Sequence, residues 1–185
     1  ANTLGTRPDI KAIAKEVKSS DALFLVDAVH LTPHAVIDFK AIGADFIGFS
    51  SYKIFGPHCG TIVADPQLLE RIKNDKLAPS TTVVPERFEF GTLPYEIMAG
   101  VAASIDFIAS MDDQATGSRR ERIVKSMEAL EAYEHPLFEY MENEIKSLPG
   151  VRTYGHAKKR TPTLYFTFDG KESVEIYKHL AKLKV

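Results

Sequence analysis

The sequence predicts an α/β domain followed by a smaller α+β segment. Three apolar runs, at residues 22–26, 46–49 and 60–64, alternate with stretches of helical periodicity. A continuous apolar run of this length is typical of a strand that is buried on both faces. Strands that alternate with helices indicate an α/β sheet. Near residue 118 the pattern changes to a long amphipathic helix, a strand and a last helix.

The helices of the first part are predicted at residues 8–19, near 39–43, at 66–72 and at 94–110. The first of these has Pro8 and Asp9 in a favourable first turn, with apolar residues recurring at helical spacing behind them. Residues 76–87 are rich in proline and hydroxyl side chains and are predicted to form a long loop.

The polar, glycine-containing stretch at 112–118 is the predicted domain boundary, which divides the chain into residues 1–115 and 116–185. Beyond it the amphipathic helical pattern continues to Gly150. Pro136 lies inside that pattern, so a kink or break is expected there. A strand at 163–168 and a helix at 173–183 complete the predicted elements.

Composition excludes several classes of function. The 185 residues are 44% hydrophobic and 26% charged with a net charge of −2, so no basic footprint favours nucleic acid or an anionic membrane. Lys158, Lys159 and Arg160 favour a solvated loop over a binding patch.

No apolar run is long enough to span a membrane. Cys59 is the single cysteine, which excludes an internal disulfide and suits a reducing cytoplasm. Both ends are abrupt, and we expect the chain to be a piece of a longer one.

Polar side chains follow two of the predicted strands. Asp27 and His30 follow the first strand, and Ser50, Tyr52 and Lys53 follow the second. Ligands of open α/β sheets bind beyond the carboxyl ends of the strands. A lysine for a Schiff base, a carboxylate for a ring nitrogen and donors for a phosphate are the groups that hold pyridoxal phosphate.

Each of these residues also has a simpler interpretation. Lys53 alone could be a surface lysine, and Asp27 alone could cap the end of its strand. Asp27, His30 and His34 could together bind a metal ion, but Pro33 lies between the histidines and interrupts a helical spacing. We therefore expect His34 to face away, and the metal site is the less favoured interpretation.

Several motifs occur in one order along the chain. They are Ala1-Asn2-Thr3-Leu4-Gly5-Thr6, Val26-Asp27-Ala28-Val29-His30, Phe49-Ser50-Ser51-Tyr52-Lys53-Ile54-Phe55-Gly56-Pro57, Arg87-Phe88-Glu89-Phe90-Gly91-Thr92 and Thr161-Pro162-Thr163. As a group they resemble the class V aminotransferases, and most closely their cysteine desulfurase-like subgroup. The resemblance extends over essentially the whole chain.

The resemblance implies a fold and a cofactor. The fold would be the C-terminal part of the large pyridoxal-phosphate domain of fold type I, with a mainly parallel sheet, followed by part of a smaller α+β domain. Lys53 would form the Schiff base with pyridoxal 5'-phosphate, and Asp27 would pair with the pyridine nitrogen. His30 would meet the phenolic oxygen of the ring.

The resemblance also implies the remaining contacts of the cofactor. Ser50 and Tyr52 would bind the phosphate, and Asn2 would lie near cofactor and substrate. Thr92 would reach the phosphate of a neighbouring subunit, which implies a homodimer. Arg87 and Glu89 are expected to form a structural ion pair.

The implied function is that of a pyridoxal-phosphate enzyme acting on an amino acid, in the manner of a cysteine desulfurase that converts L-cysteine to L-alanine with sulfur transfer. A sulfur-acceptor protein would be a further partner, and the location would be cytoplasmic. Alternatives are kynureninase-like cleavage, epimerisation or transamination, or a folded piece without activity. Cys59 directly follows the lysine motif and leads into a strand, so it is not expected to be the sulfur-accepting thiol.

Overall fold

The computed structural model describes all residues from Ala1 to Val185. They form two compact units, one of residues Asp9–Glu128 and the other of Ala1–Pro8 together with Ala129–Val185. This division does not coincide with position 115/116, where the sequence predicted a domain boundary. The assignment of residues 1–115 and 116–185 to a large and a small domain stays a prediction.

The unit Asp9–Glu128 contains the predicted alternation of helices and strands. Its elements are α1 (Ile10–Val17), β1 (Leu25–Asp27), α2 (Phe39–Ile42), β2 (Phe46–Ser50), β3 (Gly60–Ala64), α3 (Pro66–Arg71), α4 (Tyr95–Ile108) and the first part of α5 (Arg119–Ser147). Two 3-10 helices, Ser51–Ile54 and Glu86–Phe88, lie in the loops. The helices α1 and α2 begin at aspartates whose carboxylates accept a backbone N–H of the first turn, as N-caps commonly do.

The sheet of this unit is mixed. β1 and β2 are parallel, with Asp27 opposite Gly48, whereas β2 and β3 are antiparallel, with Ser50 opposite Gly60. The expectation of a mainly parallel sheet is therefore not met within this chain. The reason is the short connection between β2 and β3, residues 51–59, because a parallel pairing needs a crossover of a dozen residues or more.

The core lies on one face of the sheet. Val26 and Ile47 are 8% and 2% exposed, and they form an apolar cluster with Ala28 and Ala44, against which residues near α1 and α2 pack. Side chains alternate along a strand, so the neighbours of these residues point to the opposite face. On that open face Leu25 is 56% exposed and Ile62 is 62% exposed. The expectation that the first strand is buried on both faces is thus wrong for this chain.

The second unit contains the rest of α5, the strands β4 (Val151–Tyr154) and β5 (Tyr165–Phe168), and helix α6 (Ser173–Lys182). β4 and β5 form an antiparallel pair. β4 was not predicted; it directly follows Gly150 and has polar residues among its four. α5 continues through Pro136 as one helix, so of the predicted kink or break, the break does not occur. None of the helices combines the length and the apolar character that crossing a membrane requires.

Arg160 differs most from its predicted environment. Its side chain is 11% exposed and donates hydrogen bonds to a carboxylate oxygen of Glu142 at 2.7 Å and to the carbonyl of Thr163 at 3.0 Å. The guanidinium also lies over the ring of Phe138, 4.9 Å from its centroid. Arg160 is therefore a packed structural cation, and not part of a solvated loop.

Candidate functional site

Asp27 and Ser50 share the open face of the sheet. Asp27 ends β1 and Ser50 ends β2. Because the two strands are parallel, their carboxyl ends lie at one edge of the sheet. Asp27 is opposite Gly48, and Ser50 lies two residues beyond Gly48, so both side chains belong to the same face. One carboxylate oxygen of Asp27 accepts the backbone N–H of Val29 at 2.9 Å, which fixes the turn that follows the strand.

His30 lies in that turn and is partly buried. Burial lowers the pKa of His30 below 6.5, and the nearby positive charges of His34 and Lys53 lower it further. The imidazole is therefore neutral at neutral pH, and Lys53 is near enough to act on it electrostatically. His30 follows β1 and Lys53 follows β2, so both lie beyond the carboxyl ends of the parallel strands, at the edge that Asp27 occupies.

His34 is a neighbour of His30, with ring centroids 5.6 Å apart at an interplanar angle of 59°. The expectation that His34 faces away from the site is wrong. No group of three or more metal-ligating side chains is assembled anywhere in the described chain.

Lys53 sits on a short 3-10 helix between two buried residues. Ser51 is 0% exposed and Ile54 is 1% exposed, whereas Lys53 is half-buried. The hydroxyl of Ser51 donates to the carbonyl of Pro57 at 2.6 Å and is 3.1 Å from that of Cys59. The backbone N–H of Ser51 also donates to the Cys59 carbonyl, at 3.0 Å. Ser51 therefore closes the loop on which Lys53 is carried.

Helix α4 packs directly against this loop. A Cβ atom at Gly56 would lie 2.9 Å from the carbonyl oxygen of Ser51 and 3.1 Å from the hydroxyl of Ser104, which is itself 3% exposed. A Cβ atom at Gly100 would lie 3.1 Å from the ring of Pro57. Both glycines permit an approach that a side chain would prevent.

These supporting residues were not predicted from the sequence. A phosphate-binding role was expected for Ser50, and none was expected for Ser51, Ser104 or Gly100. The alternation of β2 was an available signal, because it places Ile47 on the core side and carries Ser51 to that same side. Sequence could not reveal the contact with α4, because it joins residues more than forty positions apart.

Tyr52 is 47% exposed and stacks on His58, with ring centroids 5.0 Å apart and an interplanar angle of 18°. Ser50 is half-buried opposite Gly60. Thr92 is exposed, in the loop before α4. The phosphate-binding roles expected for Ser50, Tyr52 and Thr92 therefore stay predictions.

Asn2 belongs to the other compact unit, where it is exposed. Its segment packs on the Thr161-Pro162-Thr163 motif. The backbone N–H of Thr161 donates to the carbonyl of Gly5 at 2.8 Å, and a Cβ atom at Gly5 would lie 2.9 Å from the Thr161 carbonyl. Gly5 has φ +67°, a conformation that favours glycine. Two of the motifs that carry the resemblance are thus in direct contact.

The ion pair expected between Arg87 and Glu89 is not the one observed. Arg87 faces Glu70 at 3.5 Å and donates to the carbonyls of Leu69 and Ile72, the latter at 3.0 Å. These carbonyls lie at the C-terminal end of α3, where a cation is favourable. Arg87 therefore has the predicted structural role with a different partner.

The sequence profile described as aminotransferase class-V matches residues 1–185, the whole chain. The chain belongs to the class V aminotransferase family. Members of this family normally use pyridoxal phosphate.

Proteins described as probable cysteine desulfurases are among the relatives of this chain. A probable cysteine desulfurase of Haemophilus influenzae is 31% identical over 179 residues, which cover 92% of this chain and 38% of that protein. An uncharacterized protein of Mycobacterium tuberculosis is 33% identical over 167 residues, 90% of this chain and 42% of that protein. The chain spans about two fifths of the length of these relatives.

Solved structures show that the fold is shared with part of two cysteine desulfurases. The apo cysteine desulfurase of Thermococcus onnurineus superposes with a TM-score of 0.83 at 24% identity, covering 100% of this chain and 46% of that one. The Escherichia coli cysteine desulfurase CsdA gives a TM-score of 0.78 at 21% identity, covering 98% and 45%.

Proposed function

We propose that the protein is a pyridoxal-phosphate-dependent enzyme of the cysteine desulfurase type, which converts L-cysteine to L-alanine and passes the sulfur to an acceptor. The observation that supports this proposal is the position of Asp27, His30 and Lys53 at the carboxyl ends of two neighbouring parallel strands. An acid, a neutral imidazole and an amine on a firmly held loop are the donor set that this cofactor requires.

Each of the three side chains would have one task. Lys53 would hold the cofactor covalently and then serve as the amine that moves the substrate's Cα proton. The Asp27 carboxylate would keep a proton on the ring nitrogen. The uncharged His30 would lie beside the ring and meet its phenolic oxygen. The bound cofactor supplies an electron sink for the bonds at Cα.

Ser50 and Tyr52 would donate to the phosphate, and Thr92 would complete the phosphate site of a second subunit in a homodimer. The loop and helix around Thr92 carry exposed aromatic side chains, which supports the proposal that a second copy of the chain binds there. Phe90 and Tyr95 are 87% and 66% exposed there, and aromatic residues are enriched where protein surfaces meet. Asn2, in the first sequence motif, would lie near cofactor and substrate.

Tyr52 supports one alternative reaction. Many desulfurases have histidine at this position of the lysine motif. With tyrosine there, the motif of this chain resembles that of the kynureninases. Kynureninase-like cleavage of an amino acid side chain is therefore the second candidate. For either reaction we propose a cytoplasmic enzyme, and for the first one a sulfur-acceptor protein as partner.

The cofactor assignment is tested by reduction with borohydride. The complete protein that carries this sequence is incubated with pyridoxal phosphate, reduced and digested, and the labelled peptide is identified by mass spectrometry. We expect the label on Lys53, its loss in Lys53→Ala, and its retention in Lys11→Ala, which removes an exposed lysine of α1. A label on a different lysine ends the assignment.

The reaction is tested by product analysis of the same preparation. A desulfurase yields alanine and, with a reductant, sulfide in equal amounts from L-cysteine. Formation of alanine from kynurenine without turnover of cysteine would favour the second candidate.

The dimer is tested by mixing two variants, each with a defective cofactor site. Lys53→Ala removes the attachment lysine, and Thr92→Ala weakens the phosphate site contributed to the other subunit. Hybrid dimers should regain one intact site and bind more cofactor than either variant alone. A fully active monomer in sedimentation would refute the shared site.

A further inference from the structure

The loop after Lys53 folds back and places His58 over the ring of Tyr52. The ring centroids are 5.0 Å apart and the planes differ by 18°, so the two rings are stacked and not merely adjacent. Offset stacking of this kind is attractive beyond the area that it buries. The stack lies immediately beside the residue proposed to attach the cofactor.

Both ends of the stacked segment are fixed. Residue 51, before Tyr52, is fully buried and donates to the carbonyl of Pro57, which precedes His58. Pro57 in turn packs against Gly100 of α4. The backbone positions of Tyr52 and His58 are therefore held by the core.

The Tyr52 side chain itself is held much less firmly by its surroundings. It is 47% exposed, so core packing restricts only part of its surface. Ordering an exposed side chain costs conformational entropy whenever a ligand needs one rotamer. A stacked neighbour reduces that cost, because the ring is already restricted before the ligand arrives.

We infer that His58 is a positioning residue, which orients the ring of Tyr52 so that the tyrosine hydroxyl is held ready for a phosphate group. This inference rests on the proposed function, in which Tyr52 donates to the cofactor's phosphate. His58 acts here through its ring face and makes no contact with the ligand. It gives a role to the histidine of the Gly56-Pro57-His58 sequence, which neither the fold nor the proposed chemistry uses.

Two ligands that differ only in the phosphate group should respond differently to loss of His58. Pyridoxal phosphate carries the group that Tyr52 would meet, and pyridoxal lacks it. Dissociation constants of both are measured by absorbance titration of the complete apoprotein. Loss of the stack in His58→Ala should weaken pyridoxal phosphate binding about 2- to 10-fold, the range expected for an aromatic pair, and leave pyridoxal binding unchanged.

Two further variants test the mechanism. His58→Phe keeps a flat ring and should retain the affinity for pyridoxal phosphate. Tyr52→Phe should lose affinity for it, and adding His58→Ala to Tyr52→Phe should cause no further loss, because the hydroxyl to be positioned is already absent. His179→Ala removes an exposed histidine of α6 and serves as the matched control. Circular dichroism confirms that each variant is folded.

Three results would overturn the inference while leaving the proposed function intact. The first is unchanged phosphate-dependent binding in folded His58→Ala. The second is an equal loss for both ligands, which would indicate general damage to the loop. The third is a His58→Phe variant as weak as His58→Ala, which would make His58 a direct ligand. If the unaltered protein binds no cofactor at Lys53, the proposed function fails as well.

Discussion

Replacing Ser51 with alanine is expected to lower the free energy of unfolding by about 1–2 kcal/mol and to weaken cofactor retention. The Ser51 hydroxyl is fully buried and donates to the Pro57 carbonyl at 2.6 Å, with the Cys59 carbonyl 3.1 Å away. The Cys59 carbonyl keeps its bond from the Ser51 amide in the variant. Pro57 is therefore the residue whose carbonyl loses its hydrogen bond.

The size of the stability loss in Ser51→Ala depends on how exposed Pro57 is. A fully buried acceptor left without a partner costs about 1–3 kcal/mol. Pro57 is only half-buried, so water can replace part of the lost bond and the upper end of the range does not apply. The loop should also become less ordered, because the removed bond joins the two ends of the segment that carries Lys53.

The neighbouring serine provides the control. Ser50→Ala removes the same atom from a side chain on the open face, so it should leave the free energy of unfolding within about 0.5 kcal/mol of the unaltered protein. It should weaken pyridoxal phosphate binding if Ser50 is a phosphate ligand. Urea unfolding of the apoprotein at fixed concentration, with midpoint and slope compared, measures the stability. Equal stability losses in the two variants would refute the reasoning.

Three further outcomes are expected. Asp27→Asn should keep the fold and still bind cofactor, but slow turnover on the order of 100-fold or more, because an amide cannot hold a proton on the ring nitrogen; near-normal rates would remove Asp27 from that role. Cys59→Ala should preserve whatever activity the complete protein has, and a persulfide trapped on Cys59 after incubation with cysteine would contradict this. For Glu142, burial acts to raise the pKa, but hydrogen bonds from Arg160 and Lys146 outweigh it, so the pKa is lowered below 4.5. Its contribution to stability should then be full above pH 4.5 and lost as the pH falls through the lower folded-state pKa. Urea midpoints of the unaltered protein and of Glu142→Gln should accordingly converge in acid, and a constant difference down to pH 3 would contradict the pairing.

The sequence predicted best the elements that carry a local signal. The positions of α1, β2, β3 and α4 follow from periodicity, from a proline or aspartate at a helix start, and from short apolar runs. The strand ends carrying Asp27 and Lys53 were found in the same way. The strand β4 was missed because four residues beginning directly after Gly150 offer too short a pattern, and its pairing with β5 supplies the missing stability.

Errors arose where a distant partner decides the outcome. Arg160 lies in a run of three basic residues, which locally favours solvent, yet Glu142 and Phe138 of α5 bury it. Arg87 likewise pairs with Glu70 and with a carbonyl at the end of α3 instead of with its near neighbour Glu89. A long cationic side chain can reach many partners, and only the folded chain determines which one it meets.

Ser50 and Ser51 show how much of a site depends on tertiary structure. The two residues are chemically identical and adjacent, but Ser50 ends β2 on the same face as Asp27, and Ser51 begins the 3-10 helix with its side chain fully buried. One is therefore available to a ligand, and the other closes the loop that holds Lys53. A functional group and its support can thus be neighbours in sequence, and the face of the strand separates their roles.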